Sequence, residues 1–164
     1  MFTHTQFKTL FDYHFHTIGR LLDEAVKLTD SQLLEDLEYG RGSIHSLLFH
    51  LLGVSRGWRE GLETGHRPPP MKIADYPTIE SLQSGFQEEK AHWDNLFQVI
   101  NSETIQGNID LTWRDATMTM PYWRILQHLI IHGMQHHAEL AQLLTEHGHS
   151  PGDLDFIFYQ WGHW

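Results

Sequence analysis

Apolar residues recur at steps of three and four along four long segments of the chain. The segments cover about residues 5–27, 44–65, 77–100 and 121–146. This spacing places the apolar side chains of each segment on one face of a helix. The first of these stripes consists of Phe7, Leu10, Phe11, Phe15, Ile18, Leu22 and Ala25. We therefore expect four long amphipathic helices.

Capping and breaking residues indicate where these helices begin and end. Ser43 suits the N-cap of the second helix, and the three prolines at 68–70 cannot continue that helix. Pro77 suits the first turn of the third helix, while Gly148 and Pro151 end the fourth. Two shorter elements are expected: a helical turn within residues 31–37 and a closing helix at about residues 154–159.

The segment 108–120 departs from helical periodicity. Its apolar and polar residues alternate around Asp115 and Ala116, which predicts a short hairpin or another extended excursion. Four amphipathic helices joined by connections of varied length are typical of a four-helix bundle. The sequence therefore predicts an all-α fold, a single domain over residues 1–164, with this excursion before the last long helix.

Composition narrows the range of functions. The formal net charge is −10, and lysine and arginine form no cluster, so we expect no nucleic-acid partner. No apolar run approaches the ~20 residues of a membrane-spanning helix, and no signal peptide is evident. We therefore expect a cytoplasmic protein without membrane contact. The absence of cysteine excludes disulfides and thiolate ligands, so any thiol chemistry would require a small-molecule thiol.

Two histidines occupy the apolar face of the fourth helix. His132 and His136 are four residues apart, so neighbouring helical turns bring their imidazoles together, and such a pair can share a metal ion. The alternative is a pair of core histidines, each hydrogen-bonded to a neighbour. Because buried unpaired polar groups cost free energy, two on one stripe favour the metal. The helical wheel directs His137 away from this face.

A third ligand is available on the second helix. His50 lies at the edge of that helix's apolar face, whereas the alternative, His45, falls about 140° away and should be solvated. His14 lies on the apolar face of the first helix and could be a fourth ligand, a partner of a ligand or a core histidine. His128 and Glu139 flank the pair on the fourth helix and are candidates for hydrogen bonds to the ligands.

The two histidines of the fourth helix also have the spacing of a zinc-protease helix. However, Gly133 stands where the general-base glutamate of such a protease would be. A thermolysin-type protease is therefore excluded.

Four segments, in this order, resemble the DinB-like proteins (the DinB/YfiT superfamily). They are Leu-Phe-Asp-Tyr-His (10–14), Ser-Ile-His-Ser-Leu-Leu-Phe-His-Leu-Leu-Gly (43–53), His-Leu-Ile-Ile-His-Gly-Met-Gln-His-His-Ala-Glu-Leu (128–140) and Gly-His-Ser-Pro-Gly-Asp-Leu-Asp-Phe (148–156). The resemblance spans nearly the whole chain and implies that the metal ligands are His50, His132 and His136. Ile131 replaces the family's usual Asn, and His137-Ala138 replaces its usual Arg-Gly, so substrate details should differ.

Three imidazoles leave a coordination position open and suit a divalent ion such as Zn or Ni. The resemblance implies three functions. The first is a metal-dependent S-transferase that joins a low-molecular-weight thiol to a small electrophile. The second is a hydrolase that uses water activated by the metal, with Glu139 as the nearest general base. The third is a non-catalytic, stress-related metal-binding bundle.

The resemblance also implies a homodimer. Aromatic residues near the end of the chain offer apolar surface for such a contact: Phe158, Trp161 and Trp164.

Overall fold

Helices account for most of the computed structural model, which describes residues 3–37 and 40–159. In chain order the elements are α1 (His4–Ala25), α2 (Asp30–Leu33), α3 (Ile44–Thr64), a 3-10 turn (Ile73–Asp75), α4 (Ile79–Val99), α5 (Ser102–Gln106), β1 (Asn108–Trp113), β2 (Ala116–Pro121), α6 (Tyr122–Glu146) and α7 (Phe156–Tyr159). The four long helices and the extended excursion predicted from the sequence are confirmed.

Local sequence accounts for the ends of the long helices. Ser43 caps α3 by accepting a hydrogen bond from the backbone N–H of Ser46, and Gly65 ends that helix in the left-handed conformation at φ 75°. The third helix begins two residues later than predicted. Its N-cap is Thr78, whose side chain accepts from the N–H of Ser81, and Pro77 lies outside the helix.

The long helices do not pack in chain order. Both α1 and α3 pack against α4 and against α6, so α1 and α3 lie on a diagonal of the bundle. The core between them is apolar and aromatic; for example, the ring centroids of Phe11 and Trp93 lie 4.4 Å apart. Because α6 is covered by α1 on one side and by α3 on another, its buried surface is wider than a single apolar stripe.

The excursion is an antiparallel hairpin of β1 and β2, which pair from Asn108↔Pro121 to Trp113↔Ala116. Leu111 on β1 is completely buried against Gly61 of α3, where a Cβ atom would come within 2.8 Å of its side chain. β1 also holds the chain that leaves α3: the N–H of Thr112 donates to Gly65 O, and the N–H of Arg67 donates to Thr112 O. The hairpin therefore fixes the first residues after α3.

Among the described residues, no helix combines the length and the apolar composition needed to cross a bilayer. Of the aromatic residues considered for a dimer contact, Phe158 lies in α7, and Trp161 and Trp164 fall outside the described residues. The homodimer and the cytoplasmic location stay predictions.

Candidate metal centre

The imidazoles of His50, His132 and His136 meet between α3 and α6. Each contributes one ring nitrogen to a group in which all three atoms lie within 4.8 Å of one another. The Nε2 atoms of His50 and His132 are 3.2 Å apart, and the ring centroids of His132 and His136 are separated by 4.5 Å. No carboxylate belongs to this group among the described residues.

The protonation state of these rings suits a metal ion. Burial lowers the pKa of both His50 and His132 to about 4, with further contributions from the neighbouring imidazoles and from Arg41. Near neutral pH both rings therefore carry a free lone pair. Three imidazole donors within this distance fit a divalent ion such as zinc, which three protein ligands hold with a position left open.

Glu139 orients the third ring. Its Oε2 atom lies 2.9 Å from Nδ1 of His136, so that nitrogen is engaged and Nε2 is left for a metal. The carboxylate is enclosed from the other side by the loop before α3, because a Cβ atom on Gly40 would lie 2.7 Å from Glu139 Oε1. Of the two candidates for such a hydrogen bond, Glu139 thus makes one to His136, an arrangement that is common in histidine metal sites.

His128 and His14 lie near the three rings without joining them. The exposed ring of His128 lies 5.5 Å from that of His132, and no hydrogen bond connects the two within the described part of the chain. His14 instead stacks on His137, with ring centroids 4.8 Å apart. Gly133 makes room for this ring, because a Cβ atom there would lie only 2.5 Å from it.

Two other histidines are buried by packing between segments. His137 points away from the face of His132 and His136, as predicted, and it is only 1% exposed because α1 covers that side of α6. The expectation that His45 is solvated is wrong. The segment that leads into α4 folds over the start of α3, and Nε2 of His45 lies 2.8 Å from the carbonyl oxygen of Tyr76.

A cleft of about 240 Å³ opens beside His50. Its walls include His50, Phe49, Met71, Trp113 and the prolines at 68–70, together with the side chain of Arg67. A reactant bound there would lie against one of the three imidazoles.

Sequence reasoning did not single out Arg67. Its guanidinium carbon lies 4.2 Å from the ring centroid of Trp58 and 5.1 Å from that of Trp113. The sequence does carry one signal for it: glycines at 53, 57 and 61 repeat every four residues along one face of α3. Such a face admits close approach by another segment, and a Cβ atom on Gly57 would lie 2.9 Å from Nη2 of Arg67.

The chain is similar to known proteins both in sequence and in fold. The chain is 24% identical over 149 residues to the uncharacterized protein YizA of Bacillus subtilis (strain 168), a match that covers 90% of this chain and 91% of YizA. Its fold is similar to that of YfiT from Bacillus subtilis, described as a probable metal-dependent hydrolase with an unusual four-helix bundle topology. That similarity has a TM-score of 0.70 at 14% identity and covers 92% of each chain. The model of the DinB family matches residues 1–163, and the chain therefore belongs to the DinB family.

Proposed function

We propose that the protein holds one divalent metal ion, zinc or nickel, on His50, His132 and His136 and acts as a metal-dependent S-transferase. In this reaction a low-molecular-weight thiol would be joined to a small electrophilic substrate. The observation that carries the proposal is the set of three imidazole nitrogens within 4.8 Å of one another beside an open cleft.

A divalent ion held there would act as a Lewis acid that lowers the pKa of a bound thiol or water molecule. The chain's own residues would supply the rest. The three imidazoles hold the ion, Glu139 fixes the ring of His136, and the apolar walls of the cleft exclude part of the solvent. In the transfer, the thiol sulfur forms a bond to an electrophilic carbon, the leaving group departs with the bonding electron pair, and the thiol proton passes to solvent.

The surroundings of the three rings favour a thiol over water as the nucleophile. Attack by water calls for a general base within hydrogen-bonding reach. Glu139, the carboxylate expected to fill that role, is engaged by Nδ1 of His136 at 2.9 Å. A thiol is acidic enough for metal coordination alone to ionise it. The cysteine-free chain also provides no thiol that would compete with an external one.

Hydrolysis is the second candidate. It is favoured by the fold similarity to YfiT, which is itself described as a probable metal-dependent hydrolase. In that case the cleft would bind an ester or amide. A third candidate, a metal-binding bundle without catalysis, requires the same three ligands.

Metal content tests the part that these candidates share. The untagged protein and its His50→Ala, His132→Ala and His136→Ala variants would be analysed by mass spectrometry under native conditions. We expect about one equivalent of metal in the parent and loss of it in each folded variant. His128→Ala is the matched control, since this exposed histidine lies one turn from His132 and should leave the metal content unchanged. Metal that is retained in the three ligand variants would contradict the site.

Activity assays on the metal-loaded protein separate the candidates. Conjugation of glutathione, bacillithiol or mycothiol to 1-chloro-2,4-dinitrobenzene, abolished by His132→Ala, would support the transferase. Turnover of 4-nitrophenyl acetate that stops on chelation would support the hydrolase instead. A metal-loaded protein inactive in both assays would favour the non-catalytic bundle.

A further inference from the structure

We infer that Arg67 binds an oxyanion group, a carboxylate or a phosphate, on the small molecule that the His50, His132 and His136 centre acts on. This inference rests on the proposed function, since it assigns a substrate class to the same site. Arg67 places a cationic side chain in the cleft beside that centre.

Arg67 differs from the neighbouring arginines in its charge partners. Within the described part of the chain, no carboxylate lies within ion-pair distance of its guanidinium, whereas Arg56 and Arg59 both pair with glutamates. The side chain is half-buried, and burial lowers the pKa of Arg67 without a carboxylate to oppose the effect. Proteins rarely bury an unpaired charge, because no favourable interaction then compensates for its desolvation. An anionic ligand would provide that interaction.

The cleft has the charge that such a ligand requires. The chain as a whole carries a formal charge of −10, yet no aspartate or glutamate lies among the described residues that line the cleft. Arg67 and Arg56 are its two charged side chains. Arg56 is neutralised by Glu60, so the uncompensated positive charge in this cleft belongs to Arg67.

The guanidinium is directed toward the candidate metal centre. Cγ of Arg67 lies near Gly61 and its Nη2 lies near Gly57, so the side chain runs along α3 toward His50. Seven residues of helix separate Gly57 from His50, a distance of about 10 Å along the axis. One molecule could therefore place its oxyanion on Arg67 and its reactive end beside the imidazoles.

Ring contacts connect Arg67 to the three histidines. The guanidinium stacks on Trp58, whose ring lies 5.5 Å from that of His128, and the His128 ring lies a further 5.5 Å from that of His132. A continuous series of ring contacts therefore links Arg67 to His132.

The arginine is held in place before any ligand binds. Its N–H donates to Thr112 O at 2.9 Å, the prolines at 68–70 stiffen the chain that follows, and two indoles enclose the guanidinium. A preorganised donor loses little conformational entropy on binding, which favours affinity. A fixed guanidinium also suits the two-pronged hydrogen bonding of carboxylate and phosphate.

Calorimetric titration of the metal-free protein tests the inference without relying on catalysis. The probes are benzoate and phenyl phosphate, with benzamide as the uncharged analogue of benzoate. We expect at least one oxyanion to bind about tenfold or more tightly than benzamide. Arg67→Met preserves the length of the side chain and should weaken that binding about 10- to 100-fold. The preference between the two oxyanions identifies the carboxylate or the phosphate as the natural group.

Arg114→Met is the matched control, because Arg114 also lies against Trp113, at 5.5 Å, but outside the cleft. It should change affinity less than about twofold. Arg67→Lys, which keeps the charge but loses the planar fork, should give an intermediate affinity. Equal oxyanion affinity in the parent and in Arg67→Met would overturn the inference, as would a parent that binds neither oxyanion better than benzamide.

Metal uptake by the same proteins, measured separately after the ion is supplied, separates this inference from the proposed function. Full metal occupancy with no oxyanion binding removes the role of Arg67 and leaves the metal centre standing. Oxyanion binding that depends on Arg67, in a protein that takes up no metal, retains an oxyanion site in the cleft and removes the proposed S-transferase.

Discussion

Buried polar groups differ in their hydrogen bonding at two interfaces of the bundle. Between α3 and α4 they satisfy one another: Arg59 makes two hydrogen bonds to Glu89, at 3.0 and 2.9 Å, and Ser55 donates to the same carboxylate. The indole N–H of Trp93 donates to Ser55 at 2.9 Å. Each of these side chains has a protein partner, which is the usual condition of a polar group in a protein core.

The histidines on α6 and those that face them are paired less completely, although His136 is hydrogen-bonded to Glu139. Neither ring nitrogen of His137 has a hydrogen-bond partner within the described residues, and Nδ1 of His14 also has none. His50 and His132 direct their Nε2 atoms at each other across 3.2 Å, and neutral imidazoles can place only one proton between them. The α3–α4 network therefore serves stability, whereas His50 and His132 face each other in an arrangement whose cost a bound metal ion would offset.

The largest effect that this comparison predicts comes from removing the cation of the α3–α4 network. Arg59→Met leaves Glu89, which is 3% exposed, without its cationic partner. We expect the free energy of unfolding at pH 7, measured by urea titration, to fall by about 3–5 kcal/mol. Lys90→Met is the control: it breaks the exposed pair of Lys90 with Asp94 and should cost at most about 1 kcal/mol.

The loss in Arg59→Met should depend on pH. Burial raises the pKa of Glu89, and Arg59 opposes that rise, so the variant should raise the pKa further. A carboxyl group whose pKa is higher in the folded than in the unfolded protein destabilises the fold at pH values above the unfolded-state pKa. At pH values below that pKa it has no effect on stability. The loss should therefore shrink as pH falls from about 7 toward 4. A loss that is independent of pH would contradict the assignment of Glu89 as the orphaned charge.

The next effect tests how closely α6 approaches α1. In Gly133→Ala the new Cβ would lie 2.5 Å from the His14 ring, so overpacking should cost about 1–3 kcal/mol despite the better helix propensity of alanine. Gly19→Ala on α1 is the matched control, since no atom lies within 4 Å of that Cβ. It should stabilise the protein by about 0.4–1 kcal/mol. Equal effects in the two variants, measured by chemical denaturation, would contradict the close contact.

The smallest effect compares two buried histidines under one substitution. His137→Leu removes two unsatisfied nitrogens, so metal-free protein should be as stable as the parent or gain about 1 kcal/mol. His45→Leu removes the partner of the Tyr76 carbonyl and should lose about 1–3 kcal/mol. Thermal unfolding of both variants measures the difference. Stability that falls further in His137→Leu than in His45→Leu would show that His137 has a partner.

Most of the fold follows from local patterns in the sequence. The three-four spacing of apolar residues located the long helices, because burial of one helical face is a local property. Ser43 and the prolines at 68–70 indicated the ends of α3 for the same reason, since capping and helix breaking are also local. α5 escaped prediction although Asn101 caps it by accepting from the N–H of Thr104. It is only five residues long, too short for a stripe to be visible.

The candidate site was only partly predictable, because much of it depends on packing between distant segments. His132 and His136 could be recognised from one helix alone. The burial of His137 depends on α1, and that of His45 depends on the chain near Tyr76. The local spacing of apolar and polar residues predicts neither contact. Arg67 is positioned by a hairpin more than 40 residues further along the chain, through its hydrogen bond to Thr112.

The diagonal placement of α1 and α3 has a consequence for the order in which the molecule assembles. His132 and His136 reach their mutual spacing as soon as α6 has formed, on the microsecond timescale of helix formation. His50 is 82 residues from His132 along the chain, so it arrives only after the entropy of closing a long loop has been overcome. A folding chain would therefore form the pair of His132 and His136 first and complete the proposed metal centre last. Uptake of a tightly held ion would thus report that the bundle has closed.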